Sequence, residues 1–344
     1  MNKQIRIDTS SQVPVYKQII EQISTLIQTR QYKAGELLPS MNELSDRLEI
    51  SKETIKKAYS ILRERNLIEA TQGKGFFVTD NTVNHQPNIL LLFDKISTYK
   101  QVLYDSFHQH IGEHAEITFR LHNQDIDVFE KFIDENLGSF DYYVITPHFP
   151  IDADIHKRVL KAIKRIPNRQ LILLDKNLED LPGNYGAIYQ DFRHDIYEGL
   201  MQGLEMLKKY EKLDVATSPH SLYAPYIKEG VKHFCADNNI HVEYHTTISS
   251  EIIHPKVAYL ILNSQLDTEL IQLIQFAKEQ KFKIGKDIGI ISYNESPVNE
   301  IILDGLTTVS TDFVQMGELA AKMILEKSPR KIKCDFKLIK RNTF

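Results

Sequence analysis

The chain has 344 residues, of which 42% are hydrophobic, and a formal net charge of −4. This length allows two or three domains with an ample core, and no stretch approaches the length of a membrane-spanning helix. The amino terminus lacks a secretory signal pattern, and Cys235 and Cys334 are a poor disulfide framework, so we expect a cytoplasmic protein with reduced thiols.

Charge is unevenly distributed along the chain. Residues 1–80 carry slightly more Lys and Arg than Asp and Glu, and the remainder carries the acidic excess. The net negative charge argues against a protein that covers nucleic acid without sequence specificity. A small basic module on an acidic body is instead typical of a regulator that touches DNA through a limited face.

Residues 40–78 are the most informative stretch. A helix over about residues 13–30 precedes them, with apolar residues at helical spacing. Ser40 followed by Glu43 is the capping-box pattern at the start of a short helix. After a tight turn, Ser51 is a good N-cap for a second helix over about residues 52–65.

The second helix is basic at its amino-terminal end, and a β-hairpin follows it. Lys52 and Lys56 lie on the outward part of the helix, and residues 67–78 read as two strands joined by a Gly-Lys-Gly tip. Two short helices with a tight turn are the arrangement that sends the second helix into the major groove of DNA. The alternative reading is a small helical module with a solvated basic face.

Short motifs from the first helix to the hairpin carry a family resemblance. They are Pro14-Val15-Tyr16, Leu38-Pro39-Ser40, Thr54-Ile55-Lys56-Lys57-Ala58 and Gly73-Lys74-Gly75-Phe76-Phe77-Val78. With them, residues 13–78 resemble the winged helix-turn-helix domain of the GntR regulators. The resemblance implies DNA contacts from Ser40, Asn42, Ser51, Lys52, Thr54, Lys56, Gly73, Lys74 and Gly75.

Three of these positions depart from the family pattern. Asn42, Lys52 and Lys56 stand where the family often has Arg. Lysine contacts phosphate without the planar two-pronged donor of arginine, and asparagine can read adenine through paired hydrogen bonds. We therefore expect an operator sequence that differs from those of better-known relatives.

Beyond a polar linker at residues 80–87, strands alternate with helices to the end of the chain. This pattern predicts an α/β fold with parallel sheets, as either one large sheet or two lobes. Within this pattern we predict one helix over residues 192–209 and one final strand over residues 333–339. We therefore predict a DNA-binding domain at residues 1–79 and a second region at residues 88–344.

A second set of motifs carries a resemblance for the larger region. They are Leu173-Leu174-Asp175-Lys176, Gln190-Asp191, Gly230-Val231, Leu262-Asn263-Ser264, Ile288-Gly289-Ile290-Ile291-Ser292-Tyr293-Asn294 and Thr307-Thr308-Val309. With them, residues 88 to about 340 resemble the effector domain of LacI-type regulators. The resemblance implies a two-lobed periplasmic-binding-protein fold with a sugar in the interlobe cleft. The combination of domains resembles the bacterial arabinose-repressor type.

The resemblance also implies a ligand-binding set: Tyr99, Asp175, Lys176, Asp191, Asn263 and Asn294. Tyr99, expected in a loop, would supply an aromatic face for a sugar ring, and the polar side chains would bind hydroxyl groups. Several of these residues could instead have a purely structural role. Asp191 could cap a helix, Asn294 could be a turn residue, and Asp175 with Lys176 could be an ion pair.

No pattern in the sequence favours a metal, a cofactor or catalysis. His108, His110 and His114 share one predicted helix but lack a supporting HExxH or cysteine pair. The nucleophile-elbow, Walker and dinucleotide-binding motifs do not occur. We therefore expect no metal site, no cofactor and no enzymatic activity.

The sequence thus predicts a homodimeric transcriptional regulator that binds an inverted-repeat operator and responds to a small sugar or sugar derivative. Two other functions stay open: a DNA-tethered enzyme, and a solute-binding protein with an accidental amino-terminal module. The sequence leaves the identity of the sugar open, and also the choice between repression and activation.

Overall fold

A computed structural model of the chain describes residues 5–11, 13–79, 86–217, 221–262 and 268–344. It contains a small amino-terminal domain and two α/β lobes, each built on a six-stranded sheet. Within the described residues, every helix is too short or too polar to cross a membrane.

The amino-terminal domain is three helices and a hairpin around one apolar core. Its elements are α1 (Val15–Gln28), α2 (Met41–Leu48), α3 (Lys52–Glu64), β1 (Ile68–Thr71) and β2 (Gly75–Val78). The core includes residues at helical spacing on α1 and α3, with Leu44 from α2, Leu67 just before β1 and Val78 at the end of β2. Removal of these apolar side chains from water is the main term that stabilises a domain of this size.

The amino-terminal lobe has an entirely parallel sheet in the order β13-β7-β6-β5-β3-β4. Its strands are β3 (Asn88–Phe93), β4 (Glu116–Leu121), β5 (Tyr142–Ile145), β6 (Leu171–Asp175), β7 (Gly186–Tyr189) and β13 (Lys331–Lys333). Its helices are α4 (Thr98–Ile111), α5 (Ile126–Asn136), α6 (Ala153–Ile163) and α11 (Phe313–Leu325). Apolar clusters cover both faces of the sheet, which explains the unbroken apolar run in β3.

The carboxyl-terminal lobe repeats this plan with one antiparallel edge strand. The order is β14-β12-β11-β10-β8-β9, with β14 antiparallel to β12. The strands are β8 (Lys212–Ala216), β9 (His241–His245), β10 (Val257–Ile261), β11 (Gly289–Tyr293), β12 (Thr307–Thr311) and β14 (Phe336–Ile339). The helices are α7 (Phe192–Gln202), α8 (Leu204–Leu207), α9 (Ala224–Asp237) and α10 (Thr268–Glu279). The α/β prediction is confirmed, and of its two alternatives the two-lobed one is correct.

The described chain passes between the lobes three times, and one crossing corrects the sequence prediction. The crossings follow β7, β12 and β13. The predicted single strand over residues 333–339 is wrong, because β13 joins the first sheet and β14 the second. Cys334 N donates to Tyr189 O at 2.8 Å and Asp312 N donates to Asp335 O at 2.9 Å, so the crossings are bonded to one another.

The predicted single helix over residues 192–209 is also wrong, because it divides into α7 and α8 at Gly203. This glycine is the C-cap of α7, with φ −100° and ψ 4°. A Cβ atom there would lie 3.0 Å from Leu338 Cδ2, so β14 packs closely against the break.

Candidate functional site

Two caps orient the helices of the amino-terminal domain. Ser40 Oγ accepts from Glu43 N at 3.2 Å, and Glu43 Oε2 accepts from Ser40 N at 2.8 Å, which completes the capping box of α2. Ser51 Oγ accepts from Thr54 N at 3.3 Å at the start of α3. Tyr59 on α3 is buried and donates to Pro39 O at 2.7 Å, which fixes α3 against the start of α2.

The predicted DNA-contacting side chains lie on the outer surface around these caps. Asn42, Ser51, Lys52 and Lys56 are exposed, whereas Thr54 is half-buried. Lys56 Nζ lies 3.6 Å from Glu53 Oε1, an exposed pair of little energetic weight. The surface therefore offers amide, hydroxyl and ammonium groups that could bind phosphates and base edges.

The hairpin carries the remaining predicted contacts at its tip. Thr71 pairs with Gly75, and Lys74 N donates to Thr71 O at 3.0 Å across the turn. Gly73 and Gly75 have φ of +78° and +105°, in the region that favours glycine. Lys74 is exposed at the tip, where its ammonium group could bind a phosphate.

The second candidate region is the cleft between the lobes, where the carboxyl ends of the parallel strands face each other. Asp175 ends β6 with φ +70°, and Asn294 follows β11 with φ +71°. Left-handed backbone at a residue other than glycine is uncommon, although aspartate and asparagine tolerate it best. Both residues are buried, so the fold holds them in this conformation at the cleft.

Four buried titratable side chains form the wall of the cleft on the amino-terminal lobe: Asp94, Lys100, His148 and Asp175. Lys100 Nζ pairs with Asp94, and His148 Nε2 lies 2.9 Å from Asp175 Oδ2. Burial alone would raise the pKa of each carboxyl group. The nearby charges of His148 and Lys100 offset burial and lower the pKa of both Asp94 and Asp175.

Hydrogen bonds cross the cleft and connect this wall to the other lobe. His148 Nδ1 lies 2.6 Å from the Tyr223 hydroxyl group. Gln190 Oε1 accepts from Thr311 Oγ1 at 2.9 Å and from Tyr293 at 3.3 Å, while its amide donates to Asp175. The lobes are thus bonded directly to each other, and a ligand with hydroxyl groups could replace these bonds.

A cavity of about 560 Å³ opens at the mouth of the cleft, with Lys176, Asp191 and Tyr223 in its lining. The Tyr223 ring stacks on Phe192 at 4.2 Å between centroids, and Lys176 Nζ lies 5.3 Å from the centre of the same ring. Burial lowers the pKa of Lys176. Asp191 Oδ1 accepts from Arg193 N and His194 N at 3.2 Å, so it caps α7 as its structural reading anticipated.

The predicted ligand residues do not all reach this cavity. Tyr99 lies in the first turn of α4 rather than in a loop, and its ring packs against Phe313 at 4.6 Å. Asp175 is buried beneath the cavity, and Asn294 follows its strand in the opposite lobe. Asn263 lies outside the described residues. The sugar-contact roles of these residues stay predictions.

The sequence analysis missed Asp94, His148 and Tyr223. Asp94 and His148 lie at or just beyond the carboxyl ends of β3 and β5, so the rule that ligands bind at strand ends could have identified them. Tyr223 gave no such signal, because it precedes α9 and meets His148 only through the packing of the lobes.

One cluster elsewhere has a ligand set that metals use. Asp214, Glu243 and His245, on neighbouring strands of the second lobe, bring their ligand atoms within 4.8 Å of one another. Lys212 Nζ lies 3.1 Å from Asp214 Oδ1 and 2.7 Å from Glu243 Oε2. One ammonium group therefore already pairs with both carboxylates and balances one of their two negative charges.

Comparisons with known sequences match both regions of the chain. Residues 15–78 match the family described as bacterial regulatory proteins, gntR family, and residues 216–339 match the periplasmic binding protein-like domain. The HTH-type transcriptional repressor YtrA of Bacillus subtilis is 36% identical over 77 residues, which are 22% of this chain and 59% of the relative. The mannosyl-D-glycerate transport/metabolism system repressor MngR of Escherichia coli is 30% identical over 105 residues, which are 30% of this chain and 40% of the relative. The chain thus spans less than two thirds of either relative.

Solved structures of low sequence identity share the fold of the larger region. The trehalose repressor of Escherichia coli has a TM-score of 0.59 at 12% identity, over 74% of this chain and 100% of its own. A LacI family regulator of Lactobacillus casei with bound glucose has a TM-score of 0.57 at 15% sequence identity, over 75% of this chain and 99% of its own. The lac repressor dimer bound to operator and an anti-inducer has a TM-score of 0.58 at 16% sequence identity, over 78% of this chain and 99% of its own. The chain therefore joins a gntR-family helix-turn-helix domain to a two-lobed periplasmic-binding-protein-like domain.

Proposed function

We propose that this protein is a cytoplasmic transcriptional regulator that binds operator DNA through α3 and the hairpin tip. The observation that carries the proposal is the exposed set of polar and basic side chains around the capped start of α3, which includes Asn42, Lys52 and Lys56. The gntR-family match covers this domain, and the relatives above are named as transcriptional repressors. Residues 1–79 and 88–344 are the proposed functional units.

The proposed effector is a small sugar or sugar derivative in the interlobe cleft. The cleft offers buried carboxylates, an amide, hydroxyl groups and the stacked ring of Tyr223, which are the groups that bind sugar hydroxyls and cover a sugar's apolar face. Structural neighbours include a regulator with bound glucose. Bound sugar would replace the bonds of His148 and Gln190 across the cleft and thereby change how the lobes close.

The proposed assembly is a homodimer on an inverted-repeat operator. Two recognition helices related by a two-fold axis need half-sites related by the same axis. One structural neighbour is a dimer bound to operator. Regulation rather than catalysis is proposed because the amino-terminal domain matches a family of regulatory proteins and the relatives above are named as transcriptional repressors.

The test separates the two halves of the proposal. Sites selected from a random DNA pool by the purified protein should contain an inverted repeat, and one member of a panel of monosaccharides and sugar phosphates should raise Tm and change operator affinity. Asp175→Asn should lose the response to sugar and keep operator binding, whereas Lys56→Ala should weaken operator binding and keep the sugar-induced rise in Tm. A protein that selects no site, or a panel without effect on Tm and affinity, would contradict the corresponding half.

A further inference from the structure

The DNA-binding domain contacts the amino-terminal lobe through a buried lysine. Lys17 on α1 is 8% exposed, and its ammonium group donates to Leu137 O and to Ser139 Oγ, the latter at 3.0 Å. Leu137 is the C-cap of α5, where unpaired carbonyl groups give the helix end a partial negative charge. The cation of one domain thus binds the helix end of the other.

The lobe is shaped to receive this side chain. Gly138 has φ +73°, and a Cβ atom there would lie 2.9 Å from Lys17 Cδ and 3.0 Å from Lys17 Cβ. The glycine therefore permits both the turn after α5 and the close approach of the lysine stem. Val13, just before α1, also packs against the apolar core of the lobe.

Two further ionic contacts join the same surfaces. Arg65, the C-cap of α3, donates to Ser139 O at 3.3 Å and lies 3.9 Å from Asp141 Oδ1. Asp141 Oδ2 in turn accepts from Asn88 N at 2.9 Å, at the start of the lobe. On the other side of Lys17, Glu21 forms an ion pair with Arg169.

The contact is of a kind that can be released. Both acceptors of Lys17 are uncharged, and burial, together with the nearby cations Lys57 and Arg65, lowers the pKa of Lys17. A cavity of about 720 Å³ lies along the seam, which is the contact between the amino-terminal domain and the amino-terminal lobe, so the two surfaces are incompletely packed. A seam with a desolvated cation and a void costs less to open than a closely packed core.

The receiving surface is connected to the cleft through α5 and α6. Arg158 on α6 pairs with Glu130 and Asp127 on α5, and Arg165, just beyond α6, pairs with Asp134. At its other end, α6 begins after Asp152, which lines the cleft cavity. A change in the cleft therefore has a packed, ion-paired route to the end of α5.

We propose that the bottom of the amino-terminal lobe, formed by residues 137–141 with Arg169, is a receptor surface for the DNA-binding domain, and that Lys17 is its central contact. Lys52 and Lys56 are exposed in the docked arrangement, so docking fixes the direction in which α3 is presented and does not cover it. The inference concerns contacts within one chain and stands independently of any operator or sugar.

The test is a distance measurement in the full chain by double electron–electron resonance. Spin labels at Ser60→Cys on α3 and Lys161→Cys on α6 would report the separation of the domains, because both positions are exposed and outside the seam. Cys235 and Cys334 are buried, and burial raises the pKa of both thiols, so neither should take the label. The parent protein without the two new cysteines is the labelling control.

The labelled protein with no substitution at the seam should give one narrow distribution of the distance between the two spin labels. Lys17→Met keeps the stem and removes the donor to Leu137 O and Ser139 Oγ, and it should lower the ratio of docked to released molecules about tenfold, because a buried acceptor is left unpaired. Lys33→Met, at an exposed lysine of the same domain, should change nothing. Equal distributions for these two variants, or a broad distribution in the parent, would overturn the proposal.

Exchanging the charges of Glu21 and Arg169 provides a test that does not depend on whether the Lys17→Met variant folds. Glu21→Arg alone should broaden the distribution, because it places a second cation beside Arg169. Glu21→Arg combined with Arg169→Glu should restore the narrow distribution. Failure of the double variant to recover what the single variant loses would exclude this pair from a docking contact.

Discussion

Asp94 and Asp175 are buried carboxylates whose partners determine whether they can stay charged. Each ends a strand of the amino-terminal lobe or follows it directly, and each is held ionised by Lys100, His148 or both. The sequence indicated Asp175 through its motif and missed Asp94, although both follow the same strand-end rule. It could not indicate the His148–Tyr223 contact, which joins residues 75 positions apart.

His122 gives a pH-dependent prediction. Burial lowers its pKa to about 4, and its ring stacks on Phe149 at 4.6 Å between centroids while Nε2 donates to Thr146 O. The unfolded chain takes up this proton near pH 6.5 and the folded chain only near pH 4, so stability falls as pH falls through that window.

Acidification from pH 7 to pH 5 should therefore cost about 2 kcal/mol of unfolding free energy through His122 alone. His122→Phe is expected to be less stable at pH 7, because the bond to Thr146 is lost, but to lose about 2 kcal/mol less on acidification. Urea unfolding of both proteins at the two pH values measures the difference. Parallel losses in the two proteins would show that His122 is not the titrating group.

At the scale of elements, the helix-turn-helix was predictable because its signals are local. Capping residues, helical periodicity and the glycines of the hairpin all lie within a few positions of the structure that they specify. The predicted bounds of α2 and α3 agree with the structure to within one residue.

Ser40→Ala should lower the stability of the amino-terminal domain by about 1 kcal/mol, because it removes one half of the capping box. Asn42→Ala, two positions along the same helix, should change stability by less than about 0.5 kcal/mol, since Asn42 is exposed. Scanning calorimetry of the full chain compares them. Equal losses of stability in both variants would count against the cap.

Other elements were not predictable because their assignment depends on distant packing. Residues 331–339 alternate without a break signal, and only the arrangement of the two sheets divides them into β13 and β14. Likewise, Gly203 is tolerated in many helices, and here the approach of Leu338 accompanies the break. Tertiary contacts override local propensity at both places.

Gly230 on α9 tests the packing of α9 against α7. A Cβ atom there would lie 2.1 Å from Arg193 O and 2.5 Å from Ile196 Cγ2, so α7 would have to move. Gly230→Ala should destabilise the carboxyl-terminal lobe by about 1–3 kcal/mol. Lys232→Ala, at an exposed position of the same helix, should stay within about 0.5 kcal/mol in thermal unfolding. A Gly230→Ala protein as stable as Lys232→Ala would contradict the helix contact.

At the scale of the molecule, three crossings join the two lobes, the ionic cluster lies on the cleft wall of the first lobe, and the amino-terminal domain sits at the opposite end of that lobe. The sheet of the first lobe and the helices that pack on it, α4, α5, α6 and α11, connect the two ends, so a change at the cleft would reach the amino-terminal domain through these elements. This arrangement suits a regulator in which ligand and DNA bind to separate surfaces.

The proposed presentation of α3 and the hairpin tip to DNA is tested most directly by the salt dependence of DNA affinity. Lys56→Ala and Lys74→Ala should each weaken binding to a selected site. Each should also reduce the slope of log affinity against log salt concentration by about one, because one phosphate contact is lost. Lys33→Met serves again as the comparison for a lysine outside the predicted contact set. Affinity and slope unchanged in both alanine variants would contradict the account.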